Sequence, residues 1–465
     1  MYEQEKIHFI GIGGAGMSGI AQILLELGGY QISGSDLKKS EITERLVKLG
    51  AVVYTGHHED NLDNKVDTVV ISSAIPADNP EVVKAKKSGI PVIQRGEMLS
   101  RLMERQKGIA IAGAHGKTTT SSLTSLLFEN NNLDPTVVLG GEFNDIGGNA
   151  KLGQGKYIIA EADESDGSFL KLNPTITVVT NIDDDHLDYY GSNENIKKAF
   201  IEFILKTPQN SFAVVCADDP GVKAILPEIE KKVRLIKYGL SAKADYLARD
   251  IRFAGITTKF LVENQGKILG EIVLNIPGKH NVYNALAAVA VGMECGIDFP
   301  NIAQSLHLFQ GVHRRFEKVG VVNGVSIYDD YAHHPSELKA AIAAAKLMGV
   351  QRLIAVFQPH RFSRTQFLKE EFGSAFRDAD ILIITEIYAA GEKPINGVNA
   401  HLLLEEIEKQ TGQRTKYIAD LKEIAIKLAD VVRPGDLVLT LGAGDIWLAG
   451  VALYELLQKK GKIVF

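Results

Sequence analysis

The sequence predicts an α/β chain of three domains built on largely parallel sheets. Short β-branched runs alternate with helical patterns along almost the whole chain, as strands joined by crossover helices do. Two glycine loops, at 11–16 and 113–116, each lie between an apolar strand-like run and a helical stretch. The chain of 465 residues is long for one compact unit, and its pattern resets near 101–107 and near 311–315.

Ile7-His8-Phe9-Ile10 is a strand entering Gly11-Ile12-Gly13-Gly14-Ala15-Gly16, and residues 17–27 read as the helix that follows. Further strands are expected at 31–33 and 66–71, and the polar, basic stretch 101–107 closes a first domain, 1–106. A second domain, 107–313, opens with the apolar strand 108–112 and carries strands at 157–160, 177–180 and 212–215. Within it, residues 246–276 alternate over short distances between turn residues, the pattern of antiparallel strands. An Ala-rich helix follows at 281–292. A third domain, 314–465, has buried strands at 352–357, 381–384 and 437–440.

Composition narrows the function classes. The net charge is −6, so no nucleic-acid footprint is visible and a phosphate ligand must be held by local groups. Cys216 and Cys295 are the two cysteines, which argues against a disulfide framework or a zinc site and fits a reducing cytoplasm. The start Met1-Tyr2-Glu3-Gln4-Glu5-Lys6 is acidic and the next apolar run is broken by glycines, unlike a signal peptide. No apolar stretch approaches the ~18 residues of a membrane span. The expectation is a cytoplasmic protein with no membrane or nucleic-acid partner, monomer or homodimer.

Gly113-Ala114-His115-Gly116-Lys117-Thr118-Thr119 is the most informative segment. Strand, glycine loop and helix aim backbone N–H groups at a phosphate chain, with Lys117 reaching the terminal phosphates and the Thr118 hydroxyl ligating Mg²⁺. The general spacing needs a glycine at 111, where this chain has isoleucine. What remains is the shorter G-x-x-G-K-T, and it predicts a chain that binds and splits a nucleoside triphosphate. Acidic ligands for the metal are available in two clusters at strand ends, Glu161-Ala162-Asp163-Glu164-Ser165-Asp166 and Asn181-Ile182-Asp183-Asp184-Asp185-His186-Leu187-Asp188. Either cluster also reads as a solvated loop, and His186 is an unusual partner for Mg²⁺, which prefers oxygen.

The first loop satisfies G-x-G-x-x-G, and Asp36 lies 20 residues beyond Gly16, the dinucleotide fingerprint in its proper context. NAD is the obvious ligand, but such a turn accepts any diphosphate, including that of a UDP-sugar. Ser72-Ser73 and Arg95-Gly96-Glu97 follow apolar runs and are placed to line the same crevice. Arg314 and Arg315 lie at the second domain junction, where an arginine can neutralise a transferring phosphoryl group. Asn281 and Asn284 open the Ala-rich helix, where they cap it or meet an adenine edge. Tyr328-Asp329-Asp330-Tyr331-Ala332-His333-His334-Pro335 and Gln358-Pro359-His360-Arg361-Phe362-Ser363-Arg364 each follow a strand. The clustered arginines suit a small carboxylate, which a guanidinium fork meets bidentately.

These segments together resemble the Mur ligases of bacterial peptidoglycan synthesis, and among them the branch that joins L-alanine to UDP-N-acetylmuramate. Segments 9–21, 113–118, 161–166, 185–186, 278–281, 314–316, 329–335, 358–361 and 441–446 occur in the family's order over essentially the whole chain. The resemblance implies an N-terminal Rossmann-like domain for the UDP-sugar, a central phosphate-loop ATPase and a C-terminal Rossmann-like domain for the amino acid. It turns the first loop toward UDP, with Gly11, Gly13, Gly14, Gly16, Met17, Ser18, Asp36, Ser72, Ser73 and Arg95 as the sugar-nucleotide set. It implies ATP at Gly113, Ala114, His115, Gly116, Lys117, Thr118, Thr119, Asn281, Asn284, Arg315 and Asp330. Mg²⁺, with Mn²⁺ as the alternative, falls to Thr118, Glu161 and His186, and alanine to Tyr331, His333, Arg361 and Arg364. Lys117, Glu161, His186, Arg315 and His333 are the implied catalytic set, working through an acyl phosphate. Two positions depart from the family pattern, Ala114 in the phosphate loop and His313 before the arginine pair. Rival readings are a ligase recycling a tripeptide onto the same UDP-sugar, a nicotinamide-dependent oxidoreductase and a nucleotide-regulated binding protein.

Overall fold

The computed structural model describes residues 4–143, 147–184, 186–241 and 243–461. Asp185, in the second acidic cluster, and the last four residues up to Phe465 lie outside that set. The chain forms two compact units. The first comprises Met1–Arg249, Leu261–Ile272 and Tyr283–Phe309; the second comprises Asp250–Phe260, Val273–Val282 and Gln310–Phe465.

The N-terminal sheet of the first unit contains β1 (Glu5–Ile10), β2 (Tyr30–Asp36), β3 (Val52–Thr55), β4 (Thr68–Ile71) and β5 (Val92–Gln94). Its order is β3-β2-β1-β4-β5, with every pairing parallel. This is the Rossmann-type arrangement, and it places the topological switch point between β1 and β4, where doubly wound sheets bind ligands. Asp36, expected just beyond the second strand, is the last residue of β2.

A ten-stranded sheet contains β6 (Lys107–Ala112), β7 (Thr136–Phe143), β8 (Gly148–Lys151), β9 (Tyr157–Glu161) and β10 (Ile176–Val179). It continues with β11 (Ala213–Cys216), β12 (Leu235–Gly239), β13 (Tyr246–Ala254), β14 (Thr257–Asn264) and β15 (Lys267–Leu274). Its order is β15-β14-β13-β12-β11-β10-β6-β9-β7-β8. The strands around β6 are parallel, whereas β7 and β8 pair antiparallel, so the sheet is mixed. Two-residue connections join β13 to β14 and β14 to β15, a span that only antiparallel neighbours can close.

One hydrophobic cluster in this unit joins Phe9, Ile20 and Leu24 to Leu102, Met103, Ile158, Phe169 and Phe200. The stretch 101–107, expected as a boundary, is therefore partly core. The helix Arg95–Met103 buries Leu102 and Met103 while Arg101, Glu104, Arg105 and Lys107 are exposed. Its basic residues are one face of an amphipathic element.

The second unit holds β16 (Glu317–Val322), β17 (Val325–Asp330), β18 (Arg352–Phe357), β19 (Ile381–Ile384), β20 (Thr415–Tyr417) and β21 (Asp436–Leu441). Their order is β16-β17-β21-β18-β19-β20. Only β16 is antiparallel to its neighbour. Leu437, Leu439 and Leu441 enter one core and Val438 another. A sheet covered on both faces needs such predominantly apolar strands.

Candidate active site

In the ten-stranded sheet β6 lies between β9 and β10, so three loops leave adjacent C-terminal strand edges. They are the phosphate loop, the acidic segment after Glu161 and the segment 181–186. Ile111 stands opposite Glu161, and Ala112 opposite Val179. Parallel pairing thus brings together groups separated by more than 40 residues in the chain.

The phosphate loop is held from both sides. Thr180 and Asn181 donate from their side chains to the His115 carbonyl at 2.7 and 2.8 Å. The His115 N–H donates to Asn181 Oδ1 at 2.9 Å. Gly116 has φ +81° and caps the helix Lys117–Asn130 in the left-handed region, and a Cβ there would fall 2.4 Å from Asn284 Oδ1. Glycine at 116 is therefore required by both backbone and neighbour. Thr118 and Thr119 open that helix, both buried, and Ala114 contributes only backbone to this geometry.

Lys117 Nζ donates to the Gly113 carbonyl at 2.6 Å and to Glu164 Oε1 at 2.7 Å. Burial disfavours its charge, yet the carboxylates of Glu164, Glu161 and Asp163 hold it above its ordinary pKa. Burial pushes Glu164 up despite Lys117 beside it. Its Oε2 is buried and meets no hydrogen-bond partner among the described residues. Glu161 Oε2 accepts from the Gly140 N–H at 3.0 Å. His186, at φ +62°, caps a short helix and brings Nε2 to 3.7 Å from Glu164 Oε1. Carboxylates with one imidazole beside a half-buried lysine suit a hard divalent cation bound to phosphate oxygens.

The first glycine loop is organised differently. The Gly11 and Ile12 N–H groups donate to the Ser35 carbonyl at 2.8 and 3.0 Å, and Gly13 N–H donates to Asp36 Oδ2 at 2.9 Å. Asp36 thereby supports the loop from beneath. Ser72 lies beside Gly11, and a Cβ at Gly16 would strike the Arg95 guanidinium at 2.6 Å. That guanidinium also pairs with Asp163 at 2.8 Å, joining the first glycine loop to the acidic segment after β9. Gly14 and Ser73 are exposed. Met17 and Ser18 are buried, and Ser18 spends its hydroxyl on the Ala15 carbonyl and its N–H on the Gly14 carbonyl. The Met17 side chain joins the hydrophobic core, and the Ser18 hydroxyl also accepts from Asn149 Nδ2 at 3.2 Å.

The second unit assembles its own group at the ends of β17, β21 and β18. Asp330 accepts from the Phe316 and Ala332 N–H groups, both at 2.8 Å, and burial pushes it up to about 7 against the pull of Arg315. Arg314 and Arg315 each bring a guanidinium to 5.1 Å from the centroid of the Tyr331 ring. Arg314 donates to Asp329 and to the Gly442 and Gly444 carbonyls, so it ties strand ends together, while Arg315 is about one-third exposed. His333 Nδ1 lies 3.0 Å from the Tyr331 carbonyl, and Glu337 accepts from the His333 N–H. Arg361 is exposed at φ +70°, and Arg364 Nη1 lies 3.3 Å from His360 Nδ1. Asn281 is buried and donates to the Pro277 carbonyl. Its neighbour His280 is pushed down to about 4 by burial and by Arg315.

Glu164, Asn181 and Asp36 in its loop-supporting role escape a reading of motifs. Asn181 and Glu164 stand inside acidic clusters whose other members draw attention by charge, and only strand order shows which face the lysine.

A lysine-bearing phosphate loop beside carboxylates, with a second diphosphate-type loop linked to those carboxylates by Arg95, defines a nucleotide-dependent enzyme with two anion cradles. The chain belongs to the Mur ligase family. It matches the Mur ligase family catalytic domain over residues 6–107, the Mur ligase middle domain over 111–292 and the Mur ligase glutamate ligase domain over 314–444. The UDP-N-acetylmuramate–L-alanine ligase of Desulforamulus reducens is 51% identical over 459 residues, covering 98% of this chain and 99% of that protein. The enzyme of the same name from Pelotomaculum thermopropionicum is 53% identical over 464 residues, covering 100% of both. The crystal structure of the UDP-N-acetylmuramate–alanine ligase of Thermotoga maritima superposes with a TM-score of 0.82 at 30% identity, covering 98% of this chain and 99% of that one.

Proposed function

We propose that the chain joins L-alanine to the lactyl carboxylate of UDP-N-acetylmuramate, splitting ATP to ADP and phosphate, in peptidoglycan precursor synthesis. Two relatives at 51% and 53% identity carry that name over nearly their whole length. The single structural observation behind the reading is Lys117, half-buried at the meeting of the phosphate loop and the Glu161–Asp166 segment, with Arg95 linking that segment to the first glycine loop. We assign the UDP-sugar to 1–106, ATP to 107–313 and the amino acid to 314–465.

The lactyl carboxylate attacks the γ-phosphorus of ATP, ADP departs and an acyl phosphate forms. Phosphorylation is needed because oxide is a poor leaving group. The alanine amine, having lost its proton, attacks the acyl carbon; the tetrahedral intermediate then expels inorganic phosphate. Lys117 neutralises charge building on the transferring phosphoryl group, and Arg315 supplies a second cation. The Tyr331 carbonyl can only accept, so His333 Nδ1 carries the proton and Nε2 is the basic nitrogen of the neutral ring. Glu337 anchors the His333 backbone, and we assign His333 as the base for the amine. Thr118, Glu161 and His186 are the donors for Mg²⁺ or Mn²⁺, which when bound offsets phosphate charge. Asn281 and Asn284 take the adenine side, and Arg361 and Arg364 the alanine carboxylate.

No described helix is long and apolar enough to cross a membrane, and we place the reaction in the cytoplasm, where ATP and UDP-sugars are available. The test is phosphate release from ATP with UDP-N-acetylmuramate, scanned across amino acids. L-Alanine should give the highest kcat/KM; release driven by a tripeptide and not by alanine would overturn the reading.

A further inference from the structure

Residues 388–392 run along the segment that carries Arg361 and Arg364. Tyr388 forms an isolated parallel bridge with His360. Its N–H donates to the Pro359 carbonyl, and its carbonyl accepts from the Arg361 N–H, both at 2.8 Å. The second bond fixes Arg361 where its backbone is at φ +70°, a conformation non-glycine residues rarely hold without support. Glu392 makes the second tie, accepting from the Ser363 N–H at 3.1 Å and from its hydroxyl at 2.6 Å.

The side chains repeat the arrangement. The Tyr388 and His360 rings stack at 5.7 Å with 9° between their planes, and His360 lies 5.6 Å from the His333 ring. A guanidinium can only donate, so the Arg364 contact at 3.3 Å makes His360 Nδ1 the acceptor. The Tyr388 ring also lies against Gly444, where a Cβ would fall 2.7 Å from the ring and closer still to Gln358 Oε1. Gly444 in turn gives its carbonyl to Arg314. Tyr388 is 40% exposed, so burial of apolar surface does not account for an aromatic residue here.

We propose that Tyr388 is a positioning residue for the amino-acid substrate: by stacking on His360 and fixing Arg361, it sets the two arginines that grip the incoming carboxylate. This rests on the reading that Arg361 and Arg364 bind the alanine carboxylate. The ring orients His360, His360 orients Arg364, and the bridge orients Arg361. A bidentate grip depends on that alignment, because a fork displaced by about 1 Å forfeits much of its advantage.

The experiment compares the wild-type chain with Tyr388→Ala, Tyr388→Phe and Gly444→Ala. For each, KM is measured for L-alanine, ATP and UDP-N-acetylmuramate, together with ADP formation in the absence of alanine. Tyr388→Ala should raise the alanine KM about tenfold or more, with the other two KM values and alanine-independent ADP formation within about twofold. Tyr388→Phe, which keeps the stacked ring, should restore the alanine KM. Gly444→Ala crowds the ring and should reproduce the defect if Tyr388→Ala fails to fold. An unchanged alanine KM, or an equal rise in all three, overturns the proposal. A wild-type chain that does not use alanine overturns instead the reading on which it rests.

Discussion

The two glycine loops share a backbone plan and differ in where their charge comes from. Each follows a parallel strand, β1 or β6, and each opens a helix. The loop at 11–16 has no cation of its own. It is supported by the Ser35 carbonyl and the Asp36 carboxylate, and its guanidinium arrives from Arg95, after β5. The loop at 113–116 ends in its own Lys117, faced by carboxylates from the next strand. A loop that only holds a diphosphate can borrow a cation from afar. A loop that must stabilise charge moving during reaction needs one attached to it and preorganised.

The largest effect should come from the attached cation. Lys117→Ala is expected to lower kcat for ADP release by about a thousandfold or more, while binding of the UDP-sugar, followed by calorimetry, changes little. Comparable loss of UDP-sugar binding would show that the two loops are not separable. Next is Gly116→Ala, which places a Cβ 2.4 Å from Asn284 Oδ1 at φ +81°. It should raise the ATP KM by about ten- to a hundredfold, since the misfit costs about 1–3 kcal/mol. Asp36→Ala removes the acceptor beneath Gly13 and should raise the UDP-sugar KM by about tenfold. Its ATP KM should stay within about twofold; a rise in the ATP KM instead would reverse the assignment of the loops.

The smallest effect concerns the support of the first loop. Ser35, whose carbonyl holds that loop, donates its hydroxyl to Glu81 at 2.7 Å, and the same carboxylate faces His8 at 2.8 Å, both partners fully buried. Burial favours the protonated form of Glu81, but hydrogen bonds from His8, Ser35 and Asn61 outweigh it and hold the carboxyl below its usual value of 4.5. A carboxyl lowered in the fold contributes stability above its unfolded pKa and loses it as pH falls. Thermal stability should therefore drop below about pH 4.5, and Glu81→Gln should flatten that acid limb in a scan of Tm against pH. An acid limb of unchanged slope in the variant would exclude Glu81 as its source.

Much of the chain was legible because its strands are buried on both faces. β18 and β19 coincide with the apolar runs at 352–357 and 381–384. Both glycine loops and both acidic clusters likewise stand at strand ends, where periodicity breaks abruptly. In the stretch 101–107 the charges are plain along the chain, whereas Leu102 and Met103 disclose their burial only in the folded cluster that also holds Phe169 and Ile158. Arg314 and Arg315 are indistinguishable as letters. The first is committed to Asp329 and to two carbonyls about 130 residues away, and the second retains its exposure.

The strand and helix periods, the two loops able to cradle phosphate and the residue types available for the chemistry can be read along the chain, because these depend on local spacing. Which acids face Lys117, that Asp36 supports a loop and that Arg95 ties the first glycine loop to the acidic segment after β9 emerge from the folded chain alone. The fold also decides which arginine is structural and that Tyr388 stacks behind the arginine segment. Those relations follow from strand order and register, which bring together groups distant in the chain, and no local pattern encodes that meeting.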